Sequence, residues 1–214
     1  MSRFSPAAAS RRITLSWLLA LFLALASGPL AGHAEEMRFA LVIGNDEYKS
    51  AKLTTPVNDA GLVANALTAA GFTVTGARNL DQATLRESFR EFVGQVAAAG
   101  PDAIAVVYLA GYGVQFAGEN YYVPVDADIA RDADVPLQAL RVSDFAQPLA
   151  ALPGRVKIVI VDAARENSLA AAGEPLASGL ALVDPPPGVA IAFNAAPGTV
   201  GPDEPGHTAL TRLR

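Results

Sequence analysis

Tyr112 stands between Gly111 and Gly113 at the end of one apolar run, and Asp162-Ala163-Ala164-Arg165 closes another. A phenol, a carboxylate and a guanidinium are the chemistry these strings offer. A phenol titrating near about pH 10 is a poor general base at neutral pH, and alanine supplies no nucleophile. The chain has no cysteine, and its only histidines are His33 and His207. That excludes a cysteine–histidine dyad drawn from one chain, along with disulfides, thiolate metal sites and histidine clusters of zinc-ligand spacing. Gly111, Gly113 and Gly118 resemble a phosphate loop, yet a strand and not a helix follows them. Asp126, Asp128, Asp132 and Asp134 have the chemistry of calcium ligands but lack the glycine and terminal glutamate of an EF-hand loop. They read as a solvated acidic loop with calcium as the alternative, and no cofactor is expected. Ser168 and Ser178 have no base beside them, and His207 sits in a polar, glycine-flanked tail that reads as exposed.

The elements that must position these residues follow from hydrophobic pattern. Phe39 to Gly44 is a continuous apolar run, the mark of a strand buried on both faces. Thr55 and Pro56 read as the cap and first-turn proline of a helix whose stripe is Val57, Ala60, Val63, Ala64 and Leu67, stopped by Gly71. Phe72 to Thr75 is a second strand. Asp81 caps the next helix, with Leu80 stapled to Leu85 and with Leu85, Phe89, Phe92, Val93 and Val96 facing inward, until Gly100-Pro101 ends it. Ala103 to Ala110 is a third strand that delivers Gly111-Tyr112-Gly113 to its carboxyl end. Val114-Phe116 and Tyr121-Val125 predict a hairpin joined by Ala117-Gly118-Glu119-Asn120. Val142 to Leu152 is a short helix capped by Ser143, and Arg155 to Val161 a fourth buried strand. Beyond Glu166, alanine, glycine and proline predict a connection, followed by a fifth strand over Val189 to Phe193. Alternating strands and helices predict an α/β fold with a mostly parallel sheet and helices on both faces.

Residues 1–34 read as a signal peptide: Arg3, Arg11 and Arg12 precede the uncharged apolar stretch Ile13 to Leu30, and Gly32-His33-Ala34 offers a small-residue cleavage site. An uncleaved anchor is the alternative. Ser10-Arg11-Arg12-Ile13-Thr14-Leu15 partly resembles a twin-arginine export signal, with Thr14 where an aromatic is usual. The expected location is therefore periplasmic or secreted. Sixteen basic against twenty-one acidic residues give the chain a net charge of −5; removing three arginines with residues 1–34 leaves −8 on residues 35–214. No basic stripe suited to nucleic acid is present, while an acidic face attracts cationic peptides.

Six strings in order resemble bacterial caspase-like domains of the metacaspase and orthocaspase type over about residues 38–200. They are Leu41-Val42-Ile43-Gly44-Asn45 with Tyr48, Pro56-Val57-Asn58-Asp59-Ala60, the strand into Gly111-Tyr112-Gly113, Gly118-Glu119-Asn120-Tyr121, Pro124-Val125-Asp126, and Asp162-Ala163-Ala164-Arg165-Glu166-Asn167. The resemblance implies a caspase–haemoglobinase three-layer sandwich and descent from cysteine endopeptidases. It also implies that the family's catalytic histidine falls at Tyr112 and its cysteine at Ala164, so that no catalytic residue is intact. Amide hydrolysis in this family needs a thiolate and a base, and a domain without either is expected to bind or regulate.

The resemblance further places at Asp59 and Asp162 the acids that hold a basic side chain before the scissile bond, with arginine favoured over lysine. The plainer alternative is that Asp59 stabilises a helix amino end and Asp162 serves loop amides. Arg165 is expected to brace the loop against a carboxylate. Expected partners are a peptide or protein with basic residues, an active paralogue or a second copy, and neither nucleic acid nor, after signal cleavage, membrane. An active peptidase using an unrecognised nucleophile or a partner subunit is the alternative function. Such domains usually continue into another helix and strand, whereas Thr208 to Arg214 barely starts a helix, which predicts an exposed sheet edge.

Overall fold

The computed structural model describes residues 37–49, 52–166, 176–177 and 179–201. The expected signal segment, Ser168, Ser178, His207 and the final helix start lie outside the described residues. Strand β1 (Arg38–Gly44) is buried along all but its first residue and pairs in parallel with β2 (Thr73–Arg78) on one side and β3 (Ile104–Phe116) on the other. Over Ile104 to Ala110, β3 also pairs in parallel with β6 (Val156–Ala164), which in turn pairs with β7 (Ala190–Phe193). The parallel order is β2-β1-β3-β6-β7.

The pleat sends alternate side chains to two helical layers. Phe39, Leu41, Ile43, Val107, Leu109, Val159 and Val161 join Leu85, Phe89, Phe92 and Val96 of α2 (Gln82–Ala99) and Phe145 and Leu149 of α4 (Ser143–Ala150). Phe89 and Phe145 meet edge to face with ring centroids 4.9 Å apart. On the other face Ala40, Val42, Val106, Tyr108 and Ala110 meet Ala60 and Val63 of α1 (Pro56–Ala69). The α/β architecture with helices on both faces is as the sequence pattern predicts.

Several local expectations are corrected. The third strand does not stop at Ala110. It continues through Gly111-Tyr112-Gly113 to Phe116, its register with β6 shifting between Ala110 and Gly113, and then pairs antiparallel with β4 (Glu119–Tyr122). The hairpin loop is Ala117-Gly118 alone, with φ of 50° and 82°, the positive values that a tight two-residue turn matched to strand twist demands. β6 likewise runs past Val161 to Ala164, so Asp162 and Ala164 are strand residues. Ser143 is not a cap: Val142 holds that position without a side-chain bond, because α4 leaves directly from β5 (Leu140–Arg141), the partner of β4. Thr55 holds the cap position of α1 but makes no side-chain capping bond, whereas Asp81 accepts the Thr84 amide at 2.7 Å, as expected. A 3₁₀ turn (Asp132–Asp134) and the one-turn α3 (Val135–Gln138) had no signal in the sequence pattern.

Candidate functional site

The adjacent parallel strands β3 and β6 bring Tyr112 and Ala164 to the same end of the sheet, where Gly113 is the register partner of Ala164. Packing explains the two glycines of this segment. A side chain on Gly111 would overlap the Tyr48 hydroxyl, and a Cβ on Gly113 would lie 2.9 Å from the Ala163 carbonyl. Close approach, and not a flexible catalytic loop, is what they permit.

Tyr112 is buried in an apolar cluster with Tyr48, Val114, Tyr121 and Val123. Its ring meets that of Tyr48 edge-on at 4.8 Å. Its amide donates to the Tyr48 hydroxyl at 2.9 Å, its carbonyl accepts from Val123 at 3.0 Å, and the same hydroxyl donates to the Val123 carbonyl at 3.1 Å. Burial pushes the Tyr48 phenol well above its usual value, so it stays protonated and keeps donating. Ala164 is only 1% exposed, its methyl group inside the main hydrophobic cluster. Its amide donates to the Asn194 side-chain oxygen at 3.1 Å, and its carbonyl accepts from the Gly201 amide at 2.6 Å. Both positions are buried and hydrogen-bonded through their backbone within the fold.

Charge collects on the α1 side of the sheet. Asp162 is 2% exposed, and both of its oxygens are engaged from within: Oδ2 accepts from the Tyr108 hydroxyl at 2.8 Å, and Oδ1 from Arg165 Nη2 at 3.1 Å. Burial first, and then the Asp162 charge, hold the Tyr108 phenol far above its usual value. Asp59, also 2% exposed, sits in the first turn of α1, close enough for its own charge to act on Tyr108. The structure thus gathers Asp59, Tyr108, Asp162 and Arg165, and packs Tyr112 with a different set of residues. Arg165 pairs with the Asp162 carboxylate. Its side chain is 4% exposed, and its buried Nε has no hydrogen-bond partner among the described residues, a shortfall of about 1–3 kcal/mol for such a group.

Tyr108 is the one hydroxyl in the apolar run Ala103 to Ala110 and Tyr48 belongs to the first of the six strings, but Asn194 and Gly201 carry no signal, since their contacts with Ala164 are made across long stretches of sequence. Two of the four acidic residues considered for calcium hold other parts of the chain. Asp126 accepts the Gln82 amide at 2.9 Å, and Asp134 accepts the Arg131 amide at 2.9 Å and pairs with its guanidinium. Among the described residues no group of three or more His, Cys, Asp or Glu is placed to hold a metal ion.

A family model described as "Caspase domain" matches residues 37–209. No curated protein matches. A crystal structure of a Geobacter sulfurreducens protein aligns at 18% identity and a TM-score of 0.47, covering 61% of this chain and 52% of that one, so the chain spans about half the length of that protein.

Proposed function

The chain belongs to the caspase-domain family, of cysteine-peptidase ancestry, and from that premise we propose that it is an exported, catalytically silent member that works by binding a peptide or protein segment bearing a basic residue. The observation that carries this reading is the state of the two positions the family uses for chemistry. Tyr112 is a packed ring whose backbone amide and carbonyl are hydrogen-bonded, and Ala164 is a methyl group whose amide and carbonyl are both held by the chain. Amide hydrolysis would need a nucleophile and a base within reach of each other, and neither position offers one.

What the chain keeps is acidity. Asp59 and Asp162 are buried close to the carboxyl ends of the strands, where open parallel sheets bind their ligands. The net charge of −8 on residues 35–214 favours approach of a cationic segment and disfavours nucleic acid. An active paralogue or a second copy of this chain could supply that segment, and the apolar stretch in residues 1–34 supports export.

The test is a panel of peptides carrying arginine, lysine or aspartate, offered to the purified domain and followed for both cleavage and binding. Binding of the arginine peptides without turnover, and its loss in Asp162→Ala, is the expected result. Turnover that survives Tyr112→Phe and a chelator would overturn the silent reading and favour an unrecognised nucleophile. Absence of binding across the panel would overturn the ligand class.

A further inference from the structure

The inference concerns regulation of the same site and rests on reading Asp162 as the ligand-binding acid. We propose that Arg165 is an exchangeable internal occupant of that site, a guanidinium of the chain's own that a ligand's basic side chain must displace.

Three features distinguish an occupant from a permanent brace. Arg165 follows the last residue of β6, and its chain neighbour Glu166 is exposed, so the buried guanidinium stands one residue from a solvent-facing position. Its hold on Asp162 is a single bond through Nη2, because the other carboxylate oxygen already serves Tyr108. A guanidinium gains most from a carboxylate through two parallel bonds, and here that second bond is forgone. Its buried Nε has no partner among the described residues, a donor that recovers water once the side chain swings out. Glycine at 201 leaves the guanidinium uncrowded, since a Cβ there would lie 2.6 Å from Asn194 Nδ2 and 3.2 Å from Arg165 Nη1.

Exchange also solves an electrostatic problem. A buried carboxylate stripped of its cation is strongly destabilising, so an empty acidic pocket would be a poor resting state. Replacing one guanidinium with another keeps Asp162 compensated throughout. The consequence is a tax on affinity, since the ligand meets an open site only in the fraction of molecules whose Arg165 has left.

The experiment titrates an acetylated, amidated arginine-containing pentapeptide into the wild-type chain and into Arg165→Gln by calorimetry. Binding tightened by about tenfold or more in Arg165→Gln is expected. Equal or weaker binding there overturns the proposal and leaves Arg165 a brace. A second arm needs no peptide. Methylguanidinium at millimolar concentration raises the melting temperature of Arg165→Ala, and leaves wild type and the Asp162→Asn/Arg165→Ala double variant unchanged. If Arg165→Ala folds only with the additive, refolding yield with and without methylguanidinium is the readout, with the same meaning. No effect in this arm overturns the proposal. Rescue by methylguanidinium without peptide binding in any variant supports the exchange and sinks the peptide reading, so the two failures are told apart.

Discussion

Tyr48 and Tyr112 are joined twice: the Tyr48 hydroxyl accepts the Tyr112 amide proton at 2.9 Å, and its ring meets the Tyr112 ring edge-on at 4.8 Å. The hydroxyl also donates to the Val123 carbonyl, so one oxygen ties β3 to the segment after β4. Tyr48→Phe keeps the ring contact and deletes both bonds, leaving a buried amide without its acceptor. A loss of about 2 kcal/mol is expected, read as a lower urea midpoint with an unchanged slope. A loss below about 0.5 kcal/mol would mean that the hydroxyl is not a fixture of the fold.

Alkaline pH should unfold the domain through its tyrosines. Burial holds Tyr48, Tyr108 and Tyr122 well above the usual phenol range, so all three stay neutral in the native state. For groups raised on folding, the stabilisation is complete below the unfolded value of about 10 and is lost as pH climbs toward the folded values. Denaturation midpoints should therefore fall steeply above about pH 10, with phenolate absorbance and helical circular dichroism changing together. Ionisation of these three rings with the dichroism intact would contradict this.

Ala164→Cys would place the chain's single thiol where no base is offered and little surface is exposed. Burial favours the protonated thiol and shuts out reagents. Iodoacetamide should label the native variant more slowly than the urea-unfolded one by a factor on the order of a hundred. Equal rates would show an open, activated position and weaken the silent reading.

Gly111→Ala should be among the costliest single substitutions, at about 3 kcal/mol or more, because its methyl group competes with the Tyr48 hydroxyl for one space and also lies 3.2 Å from the Tyr122 hydroxyl. Part of that cost belongs to the pair. Combined with Tyr48→Phe, the two changes should cost less than their sum by about 1 kcal/mol in a double-mutant cycle. Strict additivity would place the clash elsewhere.

The pattern of apolar residues was enough to find β1, β6 and β7, and the local chemistry of Asp81, Gly71 and Gly100 set helix ends correctly, because these signals act within a few residues. The pattern misled at Gly111-Tyr112-Gly113. Glycine usually punctuates a strand, but here it makes space for Tyr48 and Ala163 while the strand continues through the register shift between Ala110 and Gly113, with a φ of 156° at Gly111. Ser143 looked like a cap only because β5, two residues long and held by β4, is invisible to any periodicity. In the site, the Asp162–Arg165 pair is three residues apart and legible. The Tyr48–Tyr112 bond spans 64 positions and the Ala164–Asn194 bond 30, distances over which the sequence pattern carries no information about contact.

The change of partners along β3 has a consequence for how the chain assembles. Gly113 to Phe116 pair with Glu119 to Tyr122 across a two-residue turn, a closure available within microseconds, whereas Ile104 to Ala110 must wait for β1 from far upstream and β6 from far downstream. Pulsed hydrogen exchange during refolding should find the amides of the hairpin protected before those of Ala105 to Leu109. One strand then belongs to two stages of folding, its upper half a nucleus and its lower half the last seam to close.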